Sequence, residues 1–281
     1  MHGKYFTYNG YSSEDFGLML GGFNVNEDIP LGLSRNILKG EMNRYRKIPN
    51  FMGTSYVDVL QFTISLIKDP CENANQEDMV FTEDEVDEIT TWLTSPNYPI
   101  LFHMYDYEPD VYAKYDYFAV VSDIQPQVLS GDVIGFTVSF VTNSPYAWTE
   151  KRTFNITDNT EDEEHTEVIT INTSERLSPI YPVITITPYI SAPSNYIDVT
   201  LTNERDGGEM TLHLLKDITT IDCQHTMIKG TAGLLSFEDL GIADVDNIYW
   251  FRLWHGDNPI KVTGYADIKI EYREPRKVGA Y

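Results

Sequence analysis

Residues 56–67 read YVDVLQFTISLI, and the alternation in that run sets the fold class. Tyr56, Leu60, Phe62, Ile64 and Leu66 fall on one side of an extended chain, while Val57, Val59, Gln61, Thr63 and Ser65 fall on the other. A period of two is the signature of a β-strand with one apolar face. Asp58 interrupts the apolar set, and Lys68-Asp69-Pro70 stops the run, since proline cannot donate to a sheet ladder.

Upstream, residues 5–20 read YFTYNGYSSEDFGLML. Residues 5–8 suit a short strand, and Asn9-Gly10 is a strong two-residue hairpin turn. Ser12 and Ser13 ahead of Glu14 and Asp15 suit a second turn or a helical cap, with Gly17 as a joint. Downstream, Thr82-Glu83-Asp84-Glu85 has the capping-box form and sets three carboxylates in a first helical turn, where they favour the helix dipole. Val86, Ile89, Trp92 and Leu93 follow at helical spacing, and Ser95-Pro96 ends the segment. This predicts one amphipathic helix lying on a sheet, with Asp87, Glu88 and Thr91 outward. Three further strands are expected over 100–105, 112–122 and 133–142, separated by Glu108-Pro109-Asp110 and Ser130-Gly131-Asp132. The first half therefore reads as an α+β sandwich with one helix, ending at Asn143-Ser144-Pro145.

Residues 158–167, DNTEDEEHTE, carry six carboxylates and no Lys or Arg, too polar for a core strand; a linker or long exposed loop is expected there. Beyond it the pattern is all β: VITI, VITIT, YIDVTLT, MTLHLL, YWFRLW and ADIKIEY, with turns at Arg205-Asp206-Gly207-Gly208 and Gly256-Asp257-Asn258-Pro259. Short strands at this spacing predict a second sandwich. The expected division is 1–149 and 150–281, within a mainly β chain.

The 281 residues carry 43 acidic and 20 basic side chains, a formal charge of −23. That balance excludes a general grip on nucleic-acid backbones. No apolar run approaches a membrane span, and MHGKYFTYNG lacks a signal-peptide core, so a soluble protein made in the cytoplasm, with no membrane partner, is expected. Cys71 and Cys223 are read as free thiols, mostly buried, and not as a disulfide framework or metal site. There is no G-x-S-x-G elbow, and the six His are scattered. Asp222, Cys223 and His225 are close enough in sequence to touch, but packing explains them. The 158–167 run lacks the spacing and central Gly of an EF-hand, and no phosphate-binding glycine loop occurs. No catalytic, metal or cofactor-binding residues are assigned. Against the acidic background, Arg35, Lys39, Arg44, Arg46 and Lys47 lie within thirteen residues that hold a single acid, Glu41. Such a strip suits either a solvated loop or docking on an acidic neighbour.

Three blocks resemble the siphophage distal tail protein family. The first is Phe6, Asn9, Gly10, Ser12, Ser13, Asp15, Phe16, Gly17 and Leu18. The second is the capped helix with Trp92-Leu93, followed by residues 98–102 and by FTVSFVTNSPYAW at 136–148. The third is Ile221-Asp222-Cys223, then residues 250–258, then the strand at 268–273. Their order along nearly the whole chain carries the resemblance. It implies a hexameric ring made by 1–149, set between the tail tube protein and a tail-associated hub or lysin protein at the tail tip of the virion. A galectin-like β-sandwich over 150–281 would point outward, with a receptor-binding protein as a further partner. DNA would pass the channel without specific binding, and no enzyme activity is implied. The alternative is a carbohydrate-binding module that contacts the host wall, with Tyr249, Trp250 and Trp254 as candidates; since Tyr249, Phe251 and Leu253 alternate with Trp250, Arg252 and Trp254, one set is expected to face the core.

Overall fold

The computed structural model describes residues 4–21, 35–40, 48, 50–56, 58–71, 73, 75, 78–105, 115–157, 159, 164–189, 196–215, 217–236, 238–239 and 249–277. The chain forms two compact units, Met1–Thr149 with Arg276–Tyr281, and Glu150–Pro275. The last six residues thus group with the first unit, whereas the sequence division ran the second to residue 281. Both units are mainly β, and the one α-helix among the described residues lies in the first.

In the first unit, β1 (Tyr5–Tyr8), β2 (Tyr11–Ser12) and β3 (Leu18–Leu20) precede β4 (Arg35–Lys39), β5 (Phe51–Tyr56) and β6 (Gln61–Lys68). Helix α1 (Glu83–Thr94) leads to β7 (Ile100–Tyr105), β8 (Asp116–Leu129), β9 (Asp132–Thr142) and β10 (Ala147–Trp148). The main antiparallel sheet runs β2-β1-β7-β8-β9-β6-β3, with β10 and the C-terminal β21 (Pro275–Arg276) off this path. The Leu20 amide donates to the Lys4 carbonyl at 2.8 Å, so β3, last in the order, returns beside the start of β1 and the sheet coils on itself. Its inner face is aromatic: Phe62 stacks on Phe140 at 5.2 Å, and Phe102 lies 4.9 Å from Phe140.

The N-terminal hairpin forms as its residues require. Tyr8 pairs with Tyr11, and Asn9 and Gly10 take φ of 50° and 80°, the left-handed pair that a two-residue turn needs. Ser12 then caps a 3-10 turn at Ser13–Phe16, its hydroxyl oxygen accepting from the Glu14 and Asp15 amides while its own amide donates to the Asp15 carboxylate at 2.8 Å, and Gly17 closes the turn at φ 62°. Helix α1 starts with the predicted box: the Glu85 amide donates to Thr82 Oγ1 at 3.3 Å and the Thr82 amide to Glu85 Oε2 at 2.7 Å. Ile89, Trp92 and Leu93 are buried and Val86 partly so, while Asp87, Glu88 and Thr91 face out. Trp92 stacks on Phe16 at 4.3 Å and on Phe6 at 5.5 Å, and its indole N–H donates to the Tyr8 carbonyl at 2.9 Å. At the other end of the unit, buried Asp69 accepts from Lys4 Nζ at 2.8 Å and from Tyr5 Oη at 2.7 Å.

The stretch at 56–67 is two strands, not one. Leu60, Phe62, Ile64 and Leu66 share the buried face as expected. The chain breaks at Asp58, whose carboxylate accepts from the Val59 amide at 2.8 Å, and Tyr56 belongs to β5. The expected strand at 112–122 is β8, which begins at Asp116 and runs on to Leu129; the Glu108-Pro109-Asp110 turn lies outside the described residues.

In the second unit, β11 (Arg152–Ile156), β12 (His165–Ile171), β13 (Val183–Pro188), β14 (Tyr196–Asn203) and β15 (Gly208–Leu215) come first. Next are β16 (Thr219–Asp222), β17 (Met227–Gly230), β18 (Gly233–Leu234), β19 (Gly256–Thr263) and β20 (Ala266–Tyr272). They make a six-stranded sheet, β11-β20-β13-β16-β17-β18, and a four-stranded sheet, β12-β19-β14-β15. Ile184, Ile221 and Ile270 from the former and Ile171, Leu201 and Val262 from the latter belong to one buried cluster, which makes the pair a sandwich.

Three expectations are corrected here. The acidic run at 158–167, expected as a linker or long exposed loop, does not join the two units: it falls inside the second, its last three residues, His165–Glu167, open β12, and residues 158 and 160–163 lie outside the described residues. Asn159 within it is fully buried, donating to the Ile156 and Ala266 carbonyls at 3.1 and 2.7 Å. Residues 249–254 are not a strand; their one ladder contact is the bridge of Leu253 to Ile180. The strand follows them, where a turn had been read at Gly256-Asp257-Asn258-Pro259. Pro259 fits because it pairs with Val168 of β12, while the ladder to β14 stops one residue on, at Ile260. The missing N–H costs no bond there.

Candidate functional site

The feature of the first unit that its own core does not explain is a two-stranded ribbon. β4 and β5 pair from Arg35↔Tyr56 to Lys39↔Phe51, with a bulge between Leu38 and Lys39, and make no other sheet contact. At its base Tyr56 meets Tyr146 edge-on at 5.2 Å. Beyond that both faces are open. Ile37 is 61% exposed, Leu38 47%, Phe51 67% and Met52 70%. An isolated two-stranded ribbon is marginally stable in water, and a run of exposed apolar side chains on an unpaired edge invites another chain.

This ribbon carries the start of the basic strip. Arg35 and Lys39 are the two ends of β4, and Lys39 is exposed. Arg44, Arg46 and Lys47 lie outside the described residues. The apolar partners Ile37, Leu38, Phe51 and Met52 were missed from sequence, because alternation there is too short to separate a core strand from an exposed one.

A surface of opposite character lies on the same unit. A groove of about 530 Å³ between the start of α1 and the β8–β9 turn has an apolar floor, Phe81, Val86 and Val133, and an acidic rim, Glu83, Asp87 and Asp132. The rim follows from the helix: carboxylates in its first turn favour the dipole and face outward because Ile89, Trp92 and Leu93 face the core.

The chemistry candidates of the second unit are not brought into a reacting geometry. After β16 the chain turns, with Thr226 at φ 54°, and His225 bonds back to Asp222, Nδ1 to Oδ2 at 2.8 Å. Cys223 is buried, and that burial pushes its thiol up to about 12, so no thiolate is available near neutrality. Cys71, expected buried, is exposed. Among the described residues no cluster of His, Cys, Asp or Glu could hold a metal ion, and no helix is long and apolar enough to cross a membrane.

Of the aromatic run at 249–254, Phe251 and Leu253 are buried, and Tyr249 and Trp250, both partly buried, pack against the core, so the alternation does not divide the run into one inward and one outward set. A single carboxylate holds the segment. Asp206 accepts from Tyr249 Oη, Arg252 Nε and Trp254 Nε1, each at 2.8 Å. These bonds hold its carboxyl below the ordinary range against the opposing effect of burial. Tyr249 lies flat over Gly208, where a Cβ would meet the ring at 2.0 Å. Buried Asn258 completes the brace, accepting from the Trp254 amide and donating to its carbonyl, both at 2.7 Å.

The mainly β chain of two units falls among the phage tail proteins. The chain belongs to that group: residues 1–144 match the family described as phage tail protein N-terminal domain, and residues 146–272 match the phage tail C-terminal domain. Among solved structures it is similar to the Dit protein of phage SPP1, described as a paradigm of the hub adsorption apparatus in phages that infect Gram-positive bacteria. That likeness has a TM-score of 0.62 at 12% identity and covers 96% of this chain and 98% of that one. It is also similar to a chain of the phage P2 baseplate in its activated conformation with Ca, with a TM-score of 0.54, 10% identity, and coverage of 99% and 100%. At such identities the likeness is one of fold. No curated protein matches the chain in sequence.

Proposed function

We propose that the chain is a tail-tip component that closes into a homo-hexameric ring through residues 1–149, joining the tail tube protein to the tail-associated hub protein. Residues 150–281 then point outward, toward a receptor-binding protein. The observation that carries this reading is the β4–β5 ribbon, an apolar arm with a basic end that pairs with no other strand among the described residues. Burying side chains such as Ile37 and Phe51 gains about 1.5–3 kcal/mol each, enough for a few to drive a contact that repeats around a ring. The acidic groove beside α1 is a fitting receiver on the next copy, since opposite patches on one chain make a head-to-tail interface. A ring of chains that each carry −23 also presents an acidic channel, along which DNA slides without sticking.

The test is light scattering of three proteins at low and high salt. Arg44→Glu with Arg46→Glu and Lys47→Glu, and separately Ile37→Ser with Phe51→Ser, are expected to reduce the oligomer mass while the monomer stays folded. Salt should weaken the wild-type assembly in the same direction as the charge reversal, because exposed pairs are screened. An oligomer mass unchanged in both variants overturns the proposal.

A further inference from the structure

We propose that the second unit binds a neutral saccharide in the groove between Tyr181, Gln224, Thr226, Trp250 and Arg252, a reading that does not depend on the ring. The groove has a volume of about 490 Å³, within the usual range for small-ligand sites. It sits at one end of the six-stranded sheet, where the segment entering β13 meets the turn leaving β16; the Cys223 amide donates to the Pro182 carbonyl at 3.2 Å.

The polar ends around the groove divide sharply. Tyr249, Arg252 and Trp254 have theirs committed to Asp206, and that commitment fixes the segment from which Trp250 projects. Trp250, Tyr181 and Gln224 line the groove, and within the described residues the Trp250 indole N–H, the Tyr181 hydroxyl and the Gln224 side-chain amide make no hydrogen bond, while the Gln224 backbone N–H donates to Asp222. Trp250 is half-buried and Tyr181 37% exposed. Two amphipathic rings at an open groove, each with an unspent polar tip, suit a ligand with one apolar face and a rim of hydroxyls. A pyranose ring has that form: its C–H face lies on the aromatic ring, and its hydroxyls meet the Gln224 side-chain amide, the Tyr181 hydroxyl and the indole N–H.

Charge selects among saccharides. Arg252 is the groove's one cation among the described lining residues, and its Nε lies 2.8 Å from Asp206. Asp222 borders the same turn. With no net positive charge facing it, an anionic sugar or a nucleotide has little to hold it.

The test uses the full chain and calorimetric titration with short oligomers of N-acetylglucosamine, glucose and galactose, with a polyproline peptide as the competing probe. The expected result is saturable millimolar binding of at least one sugar series, weakened about tenfold or more by Trp250→Ala and by Tyr181→Ala. Leu177→Ala, at an exposed side chain outside the groove, should bind as wild type does. Should either aromatic variant lose its near-UV circular dichroism, Gln224→Ala, at an exposed position, carries the same expectation. Absence of saturable binding for every sugar, sugar binding that survives the groove substitutions, or binding of polyproline alone each overturns the proposal.

Discussion

Trp92 joins three parts of the first unit, and its removal gives a measurable stability change. The side chain is 5% exposed and stacks between Phe6 and Phe16. Its N–H is the donor to the Tyr8 carbonyl, and Asn9 Nδ2 returns a bond to the Trp92 carbonyl at 3.3 Å. Truncation to alanine leaves a cavity under α1, which costs about 3–5 kcal/mol, a range that includes the lost ring contacts. Trp92→Phe keeps most of the ring volume and loses the hydrogen bond, so about 1–2 kcal/mol is expected. In urea unfolding, a slope of about 2 kcal/mol per molar turns the alanine cost into a midpoint shift of roughly 2 M. Two units can give two transitions, and near-UV circular dichroism of variants against wild type should place the shift in one of them. A shift below about 0.5 M for Trp92→Ala would refute the argument that this ring locks helix to hairpin.

Asp69 supplies a pH test. Its hydrogen bonds from Lys4 and then Tyr5 hold the carboxyl well below the usual carboxylate range. A depressed folded pKa contributes stability that is present above the unfolded value, near 4, and is lost as pH falls through the folded value. Wild type should therefore lose first-unit stability below about pH 4, and Asp69→Ala, which removes the carboxylate that accepts from Lys4 and Tyr5, should cost about 3 kcal/mol at neutral pH and flatten that acid dependence. The thiols give a third outcome: a colorimetric thiol reagent at pH 8 should label exposed Cys71 in the native protein and reach Cys223 only after denaturation. Rapid native labelling of both would contradict the burial of Cys223.

Where a local signal had no distant competitor, the sequence was legible. Asn9-Gly10 and Thr82 with Glu85 close their bonds within four residues, so turn and cap formed as read. Residues 249–254 alternate apolar and polar as a strand does, but Asp206, more than forty residues away, captures Tyr249, Arg252 and Trp254, and a braced coil results. Asn258 was read as part of a turn for its local chemistry, yet its side chain serves buried backbone groups that no window of sequence contains. The candidate assembly residues were legible as charge alone. Their apolar neighbours Ile37, Leu38, Phe51 and Met52 are too short a run to tell core from surface in sequence, and what marks them is their exposure.

The grouping of Arg276–Tyr281 with the first unit makes the second a detour in the polypeptide: the chain leaves at Glu150 and is back by Arg276. Entry and exit strands are neighbours in one sheet, with Arg152 opposite Tyr272, so the detour begins and ends on adjacent strands. A module whose two ends meet can be exchanged for another with equally close ends while the host fold keeps its path. The junctions on either side of residues 150–274 are thus natural splice points, where grafting a foreign domain, or a short Gly/Ser bridge in place of one, keeps β21 and the helix with the coiled sheet.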